Sequence, residues 1–433
     1  MNFSWAFRVI GAPSFLPTVS EKSAYNSKLH WFAVLTAVAT LGLIGIGGIV
    51  TSEGVGMAVP DWPNTYGYNM FFFPFSQWVG GILWEHSHRL FASGVGLLTM
   101  ILAIWLHGRG GRKFLRFFLS PLCGVAGLVA FSLEEPRLQD AAFLLSVSGV
   151  SLIASFVWPR CQAASPRMRA LGVLALVGVI AQGILGGLRV TLFADQIGIF
   201  HASLAQLFLI LICSIALLSS KWWARIRAPR REELIGRRIG YGMLFLTVLV
   251  FCQLVLGASM RHQHAGLAVS RFPLIAYGEV WPATDEASLA EANRERIDHR
   301  DFNPITKNHV LIHMGHRIMA LTLFTLAALF VGITVRKLPR GHWLGSALIV
   351  WFSIICLQAL LGAATVWSNK AADIATLHVV FGAVTLALGG LLSIIALRLS
   401  HPVSLRASVP SEALGDLASV SNRTTPGMAH SLF

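Results

Sequence analysis

Charge is scarce in this chain. Asp, Glu, Lys and Arg make up 12% of its 433 residues and 55% are hydrophobic, against about 25% charged in ordinary soluble domains. That balance excludes a soluble globular domain. Cysteine is scarce as well: Cys123, Cys161, Cys213, Cys252 and Cys356 are scattered over apolar segments or beside them, with no CxxC and no pair in a long loop. A disulfide framework and a thiolate metal site are therefore not expected. Acidic residues are fewer than basic ones, 20 against 34, for a formal charge of +14. The basic residues are spread over alternate short loops instead of gathering on one domain, so nucleic acid is not the expected partner; membrane lipid is. A cleavable signal peptide is also missing from the reading, because the first apolar run follows a mixed segment and lacks a small-residue cleavage site.

What is abundant is long apolar sequence. Eight runs, about 31–50, 84–106, 170–188, 197–218, 239–259, 310–335, 343–366 and 374–397, are long enough to cross a hydrocarbon core of roughly 30 Å. Two shorter runs, 117–133 and 141–158, bring the expected number of transmembrane helices to about ten. Helices are expected because backbone in lipid must satisfy its own hydrogen bonds. Arg109, Arg112, Lys113 and Arg116, then Arg160, Arg167 and Arg169, then the cluster from Lys221 to Arg238, then Arg336, Lys337 and Arg340 fall in every second loop. The positive-inside rule makes those loops and both termini cytoplasmic.

An internal repeat organises the chain. Gly56-Met57-Ala58-Val59 with Trp62-Pro63 and Tyr66-Gly67 is echoed by Gly266-Leu267-Ala268-Val269 with Phe272-Pro273 and Tyr277-Gly278. His88-Arg89 is matched by His316-Arg317, and Gln182, Gly186 and His201 by Gln358, Gly362 and His378. The expected fold is an all-α membrane protein of two parallel-repeat four-helix bundles, eight core helices in all, plus an inserted transmembrane hairpin at 113–160. The expected organisation is an N-terminal cytoplasmic segment 1–30, a first half 31–220, a basic linker 221–238, a second half 239–400 and a disordered cytoplasmic tail 401–433.

His88, His201, His316 and His378 recur at one place in the repeat, four to seven residues inside the outer ends of their apolar runs. In each half two histidines at matched depth can face one another, the arrangement that axial ligation of a haem iron requires. Ionisable groups inside a membrane are costly and count as functional candidates. Glu85 lies three residues before His88 and shares its helical face, while His86 points away; the second half has His313 there instead. The two sites are thus expected to differ chemically, although Glu85 also reads as a helix-start carboxylate favoured by the dipole. His309, His313 and His316 share a helical face and could form a zinc or copper site, and His313 could replace His316 as a ligand. Arg89, Arg317 and, more weakly, Arg189 and Arg261 are candidate partners for haem propionates, with snorkelling to headgroups as the alternative.

At these residues the chain resembles the haem A synthase family. The resemblance runs from about residue 31 to 397, less the insert, and rests on Gly56 to Pro63, Glu85–His88–Arg89, Gly186 to Thr191, His201, His316-Arg317 and His378. It implies that His88 and His201, with Glu85 as catalytic residue, handle haem O and its product haem A, and that His316 and His378 hold a cofactor haem b. The implied reaction oxidises the C8 methyl of haem O through an alcohol to the formyl group, in cytochrome oxidase biogenesis. It also implies a multi-pass protein of a bacterial inner membrane, with a haem O synthase and oxidase assembly proteins as candidate partners and a homo-oligomer as a candidate state; the electron acceptor is left open. The chain departs from the pattern in lacking the outer-loop cysteine pair of some bacterial members, in having Ser270-Arg271 where the first half has Pro60-Asp61, and in the insert. Two other classes share the histidines: a di-haem electron carrier or quinone-linked cytochrome b without chemistry on haem, and a transporter or assembly factor with structural histidines.

Overall fold

A computed structural model of the chain describes residues 26–133, 137–159, 161–226, 235–273, 281–295 and 304–400. Most of the N-terminal segment, the middle of the basic linker, Tyr277-Gly278 and the tail from His401 lie outside the described residues. The helices are α1 (Ser27–Ser52), α2 (Gly80–His107), α3 (Arg109–Phe114), α4 (Ser120–Phe131), α5 (Leu138–Val157), α6 (Pro166–Thr191), α7 (Asp195–Leu218), the short α8 (Lys221–Ile226), α9 (Arg237–His262), α10 (Glu286–Arg294), α11 (Lys307–Lys337), α12 (Trp343–Trp367) and α13 (Ala372–Leu399). A π-helical stretch, Leu115–Leu119, joins α3 to α4 into one span. Among the described residues ten spans are long and apolar enough to cross a membrane, and the chain is an all-α multi-pass membrane protein. The spans outrun the apolar runs by a few residues at most ends, because a helix continues past its last apolar residue to a cap. Asn26 and Ser165 provide such caps, accepting from Leu29 N and Met168 N.

Packing follows the repeat. The first bundle is a ring in which α1 touches α2, α2 touches α6, α6 touches α7 and α7 closes on α1; α9, α11, α12 and α13 form the second ring in the same order. The rings meet through α1 on α13, α7 on α9 and α7 on α13. Since α1 corresponds to α9 and α7 to α13, the first two of these contacts are the same contact made twice. Each ring has its own apolar core, one around Leu102, Phe208 and Ile212, the other around Trp351, Leu348 and Leu386.

The insert is a hairpin of α4 against α5, reached through Gly108. Gly108 has φ of +54°, and a Cβ there would lie 2.7 Å from the Cys161 carbonyl oxygen, so the turn requires glycine. Within the hairpin Ser148 Oγ donates to the Ser120 carbonyl at 2.8 Å. The hairpin tip reaches the first long loop, where Asn69 Nδ2 donates to Asp140 at 2.8 Å.

Candidate functional site

The four repeated histidines enter the bundles from diagonal helices, α2 and α7 in the first ring, α11 and α13 in the second. His201 and His378 each stand six residues into their helices, counted from Asp195 and Ala372; His88 and His316 stand eight and nine residues in, from Gly80 and Lys307. The second pair is deeper than the apolar runs suggested, because α2 and α11 begin earlier. At 1.5 Å per residue the depths are about 9 Å and about 12–14 Å, close enough to put paired rings at one level. His88 lies within electrostatic range of His201, and His316 of His378.

Each ring rests on a glycine of a neighbouring helix. A Cβ at Gly47 would stand 3.1 Å from His88 Cε1, at Gly186 3.4 Å from His201, at Gly257 3.2 Å from His316 and at Gly362 3.2 Å from His378. The glycines let the imidazoles approach bare helix backbone, Cε1 nearest. Four residues before three of these glycines stands a glutamine: Gln182 Nε2 donates to the His201 carbonyl at 3.0 Å, Gln358 Nε2 to His378 at 2.8 Å and Gln253 Nε2 to His316 at 3.0 Å. The fourth position, beside His88, is Leu43. Nδ1 of His88, His201 and His378 is buried without a protein partner. All four imidazoles line one cavity, and facing imidazoles that each offer a ring nitrogen are the donor set that suits an iron-bearing macrocycle.

That cavity is large. It measures about 2370 Å³ and is lined by all four histidines, well above the roughly 300–1,000 Å³ of a pocket for one drug-sized ligand. Glu85, Arg89, Arg189, Arg261 and Arg317 also reach its wall. Glu85 is buried and ordered: its Oε2 accepts from Val59 N at 2.8 Å and its Oε1 from Arg89 at 2.6 Å. Arg89 also donates to the carbonyls of Asp61, Asn64 and Val59 at 2.7, 3.0 and 2.7 Å. It therefore ties the first long loop down over the cavity. Arg317 does the same in the second half, donating to Val269 at 2.9 Å and Arg271 at 2.8 Å, the repeat equivalents of Val59 and Asp61. Unlike Arg89, it leaves Nε and Nη1 buried without partners. Arg189 has one long contact, 3.8 Å to Asp195, and an unpartnered Nε. Arg261 donates to the Gly48 carbonyl at 2.6 Å and to Ser52 Oγ at 2.5 Å, across the boundary between the halves.

His86 does point away from the cavity. It is packed under the loop, edge-on to Trp78 with centroids 4.6 Å apart, and 3.1 Å from Thr65 Oγ1. The zinc or copper reading of His309, His313 and His316 fails: among the described residues no three His, Cys, Asp or Glu side chains gather to hold an ion. His309 closes a capping box with Thr306, His313 is 3.1 Å from the Ala265 carbonyl, and only His316 has the glycine platform. Sequence reading singled out Gly186 and Gly362 with their glutamines but not their part beside the rings, and it missed Gly47, Gly257 and Gln253. The recurring Gln-x-x-x-Gly spacing in α6, α9 and α12 was the available signal.

A sequence model of the family described as "cytochrome oxidase assembly protein" matches residues 143–389, more than half of the chain. The chain belongs to this family. It is similar to proteins named haem A synthase from Bacillus cereus strain AH187 and Bacillus anthracis strain CDC 684, 24% identical over 359 residues covering 82% of this chain and 88% of each relative. The Bacillus mycoides strain KBAB4 protein of the same name is 24% identical over 358 residues. The resemblance to the haem A synthase family expected from the motifs is thereby borne out. The family match includes His201, His316 and His378; the alignments with the relatives extend over most of the remaining chain.

Proposed function

We propose that the protein is a haem A synthase, an oxidoreductase that takes haem O as substrate and oxidises its C8 methyl through an alcohol to the formyl group of haem A. In this reading His88 and His201 are axial ligands to the substrate, and His316 and His378 to a resident haem b. When bound, haem b supplies a one-electron relay. The observation that carries the reading is the set of four imidazoles on glycine platforms around one cavity, with a carboxylate beside one pair only. Two equivalent electron-carrying sites would have no use for that difference.

The chain's own residues then divide the work. The glycine platforms hold the rings in position, and Gln182, Gln253 and Gln358 fix the helix carbonyls beside three of them. Arg89 and Arg317 pull the long loops across the mouth of the cavity and limit water. The Glu85 side chain is anchored by Val59 N and Arg89 and has acceptor capacity left on both oxygens, so it can position, or take a proton from, a group at the ring edge. Arg317 and Arg189, with unpartnered N–H groups, suit propionates better than Arg89 does. The protein works in a bacterial inner membrane with cytoplasmic termini, receives haem O from a haem O synthase and serves cytochrome oxidase assembly.

The test is expression in a host that makes haem O but lacks its own synthase, with extracted haems separated and the purified protein analysed as pyridine haemochromes. Haem A in the extract and haem b with haem O or A on the protein are expected. Haem b alone, with cellular haem O unchanged, would overturn the reading in favour of a di-haem carrier.

A further inference from the structure

The two halves differ in how far the cavity runs down their helices. Along α11 the last residue on its wall is Phe324, eight residues past His316; along α2 the wall continues to Ile104, sixteen residues past His88. At 1.5 Å per residue this is about 12 Å against about 24 Å. The stopper in the second half is visible: Phe324 of α11 packs on Phe352 of α12, ring centroids 5.4 Å apart. The repeat equivalents of this pair are Gly96 in α2 and Leu176 in α6, and both line the cavity. A Cβ at Gly96 would meet nothing nearer than Val179 at 4.0 Å, and one at Gly94 nothing within 4 Å. These two glycines open a slot where the other half has an aromatic plug.

The insert forms one wall of this slot. Leu115, Leu119 and Cys123 from one arm and Val147, Ala154 and Trp158 from the other face the cavity. The insert has no counterpart in the second half. The slot is continuous with the space beside His88, and its deep part, from Gly96 to Ile104 on α2, carries no charged side chain.

From this asymmetry we infer that the slot between α2, α6 and the inserted hairpin takes the hydroxyethylfarnesyl chain of haem O, and that Gly96 against Phe324 decides which haem enters which half. The inference rests on the proposed reaction, because haem O and haem b share the macrocycle and propionates and differ in that long apolar chain, which replaces a vinyl group. A half that accepts haem O must house the chain; a half reserved for haem b gains by excluding it. In lipid or detergent the chain is not leaving water, so the discrimination comes from room and packing: the first half has space for the chain beside α2, and Phe324 on Phe352 closes that space in the second.

The experiment uses the full-length protein in detergent, loaded first with one equivalent of haem b and then titrated with haem O or with further haem b. Wild type should take up haem O at least tenfold more tightly than a second haem b. Gly96→Phe should abolish that preference by weakening haem O alone. Equal weakening of both haems, or of neither, would overturn the inference. Should Gly96→Phe fold poorly, wild type with haem O bearing a photoreactive group at the chain terminus gives the second readout. Crosslinks to residues 115–123 or 143–158 are expected; crosslinks confined elsewhere overturn the inference, as does a phospholipid acyl chain in the slot that haem O fails to displace. The synthase reading is scored separately. Selective haem O binding without haem A formation keeps the slot and loses the synthase, whereas haem A formation by wild type and Gly96→Phe alike, with unchanged haem O binding, does the reverse.

Discussion

Superimposed by their repeat, the two halves share a frame and differ in what they put inside it. In both, two histidines on diagonal helices lie on glycines, and an arginine one residue past the first histidine clamps a long loop by the same two carbonyls. In the first half the position three residues before that histidine holds Glu85, the supporting glutamine is replaced by Leu43, and the cavity runs deep beside an extra hairpin. In the second half the corresponding residues are His313 and Gln253, and Phe324 ends the cavity. On the proposed function, the frame sets where a macrocycle sits and a handful of substitutions decides what is done with it.

The largest effect expected from breaking this comparison is at His316 and His378. His378→Ala or His316→Ala should all but abolish haem b on the purified protein while His88→Ala leaves it in place, measured by pyridine haemochrome. Retention of haem b in the first two variants with loss in the third would exchange the roles of the halves.

Next comes the carboxylate. Glu85→Gln keeps an acceptor for Val59 N but removes the charge that faces Arg89, and it should lower conversion of haem O by about 10²–10⁴-fold with haem still bound. Glu85→His, which gives the first half the second half's residue, should be as inactive. Normal haem A output from a well-folded Glu85→Gln protein would leave Glu85 no part in the chemistry.

The clamps should differ in cost. Removing one partner of a buried ion pair typically costs about 3–5 kcal/mol, so Arg89→Ala should lower thermal stability clearly more than Arg317→Ala, whose guanidinium meets no carboxylate among the described residues. Equal losses would mean that the loop carbonyls, not Glu85, dominate the clamp. The smallest effect belongs to Gln253→Leu, which copies Leu43 into the second half. One lost hydrogen bond is worth about 1 kcal/mol, so haem b affinity should drop by less than about tenfold, read by titration.

The histidines were legible in the sequence because a polar ring inside an apolar run is conspicuous and a repeated spacing singles out four of them. The spans were legible because lipid leaves backbone little choice. The glycine platforms were not: with 40 glycines in the chain, which of them faces a ring depends on which helices adjoin. The arginines show a second limit. Spacing put Arg89 and Arg317 beside two of the repeated histidines, but a guanidinium has five donors, and only the folded loop reveals that Arg89 is taken up by backbone carbonyls 25 to 30 residues upstream.

The paired contacts of α1 with α13 and α7 with α9 have a consequence for ancestry. A surface that meets its own copy twice about an axis is the plan of an isologous two-fold dimer, so a half-length forerunner of this chain would have associated with itself through the same faces. Arg261 is where that plan is broken. Its guanidinium holds the end of α1, whereas the equivalent residue in the first half is Thr51. The arginine stands on one side of the contact only, so the two halves cannot trade places without losing it.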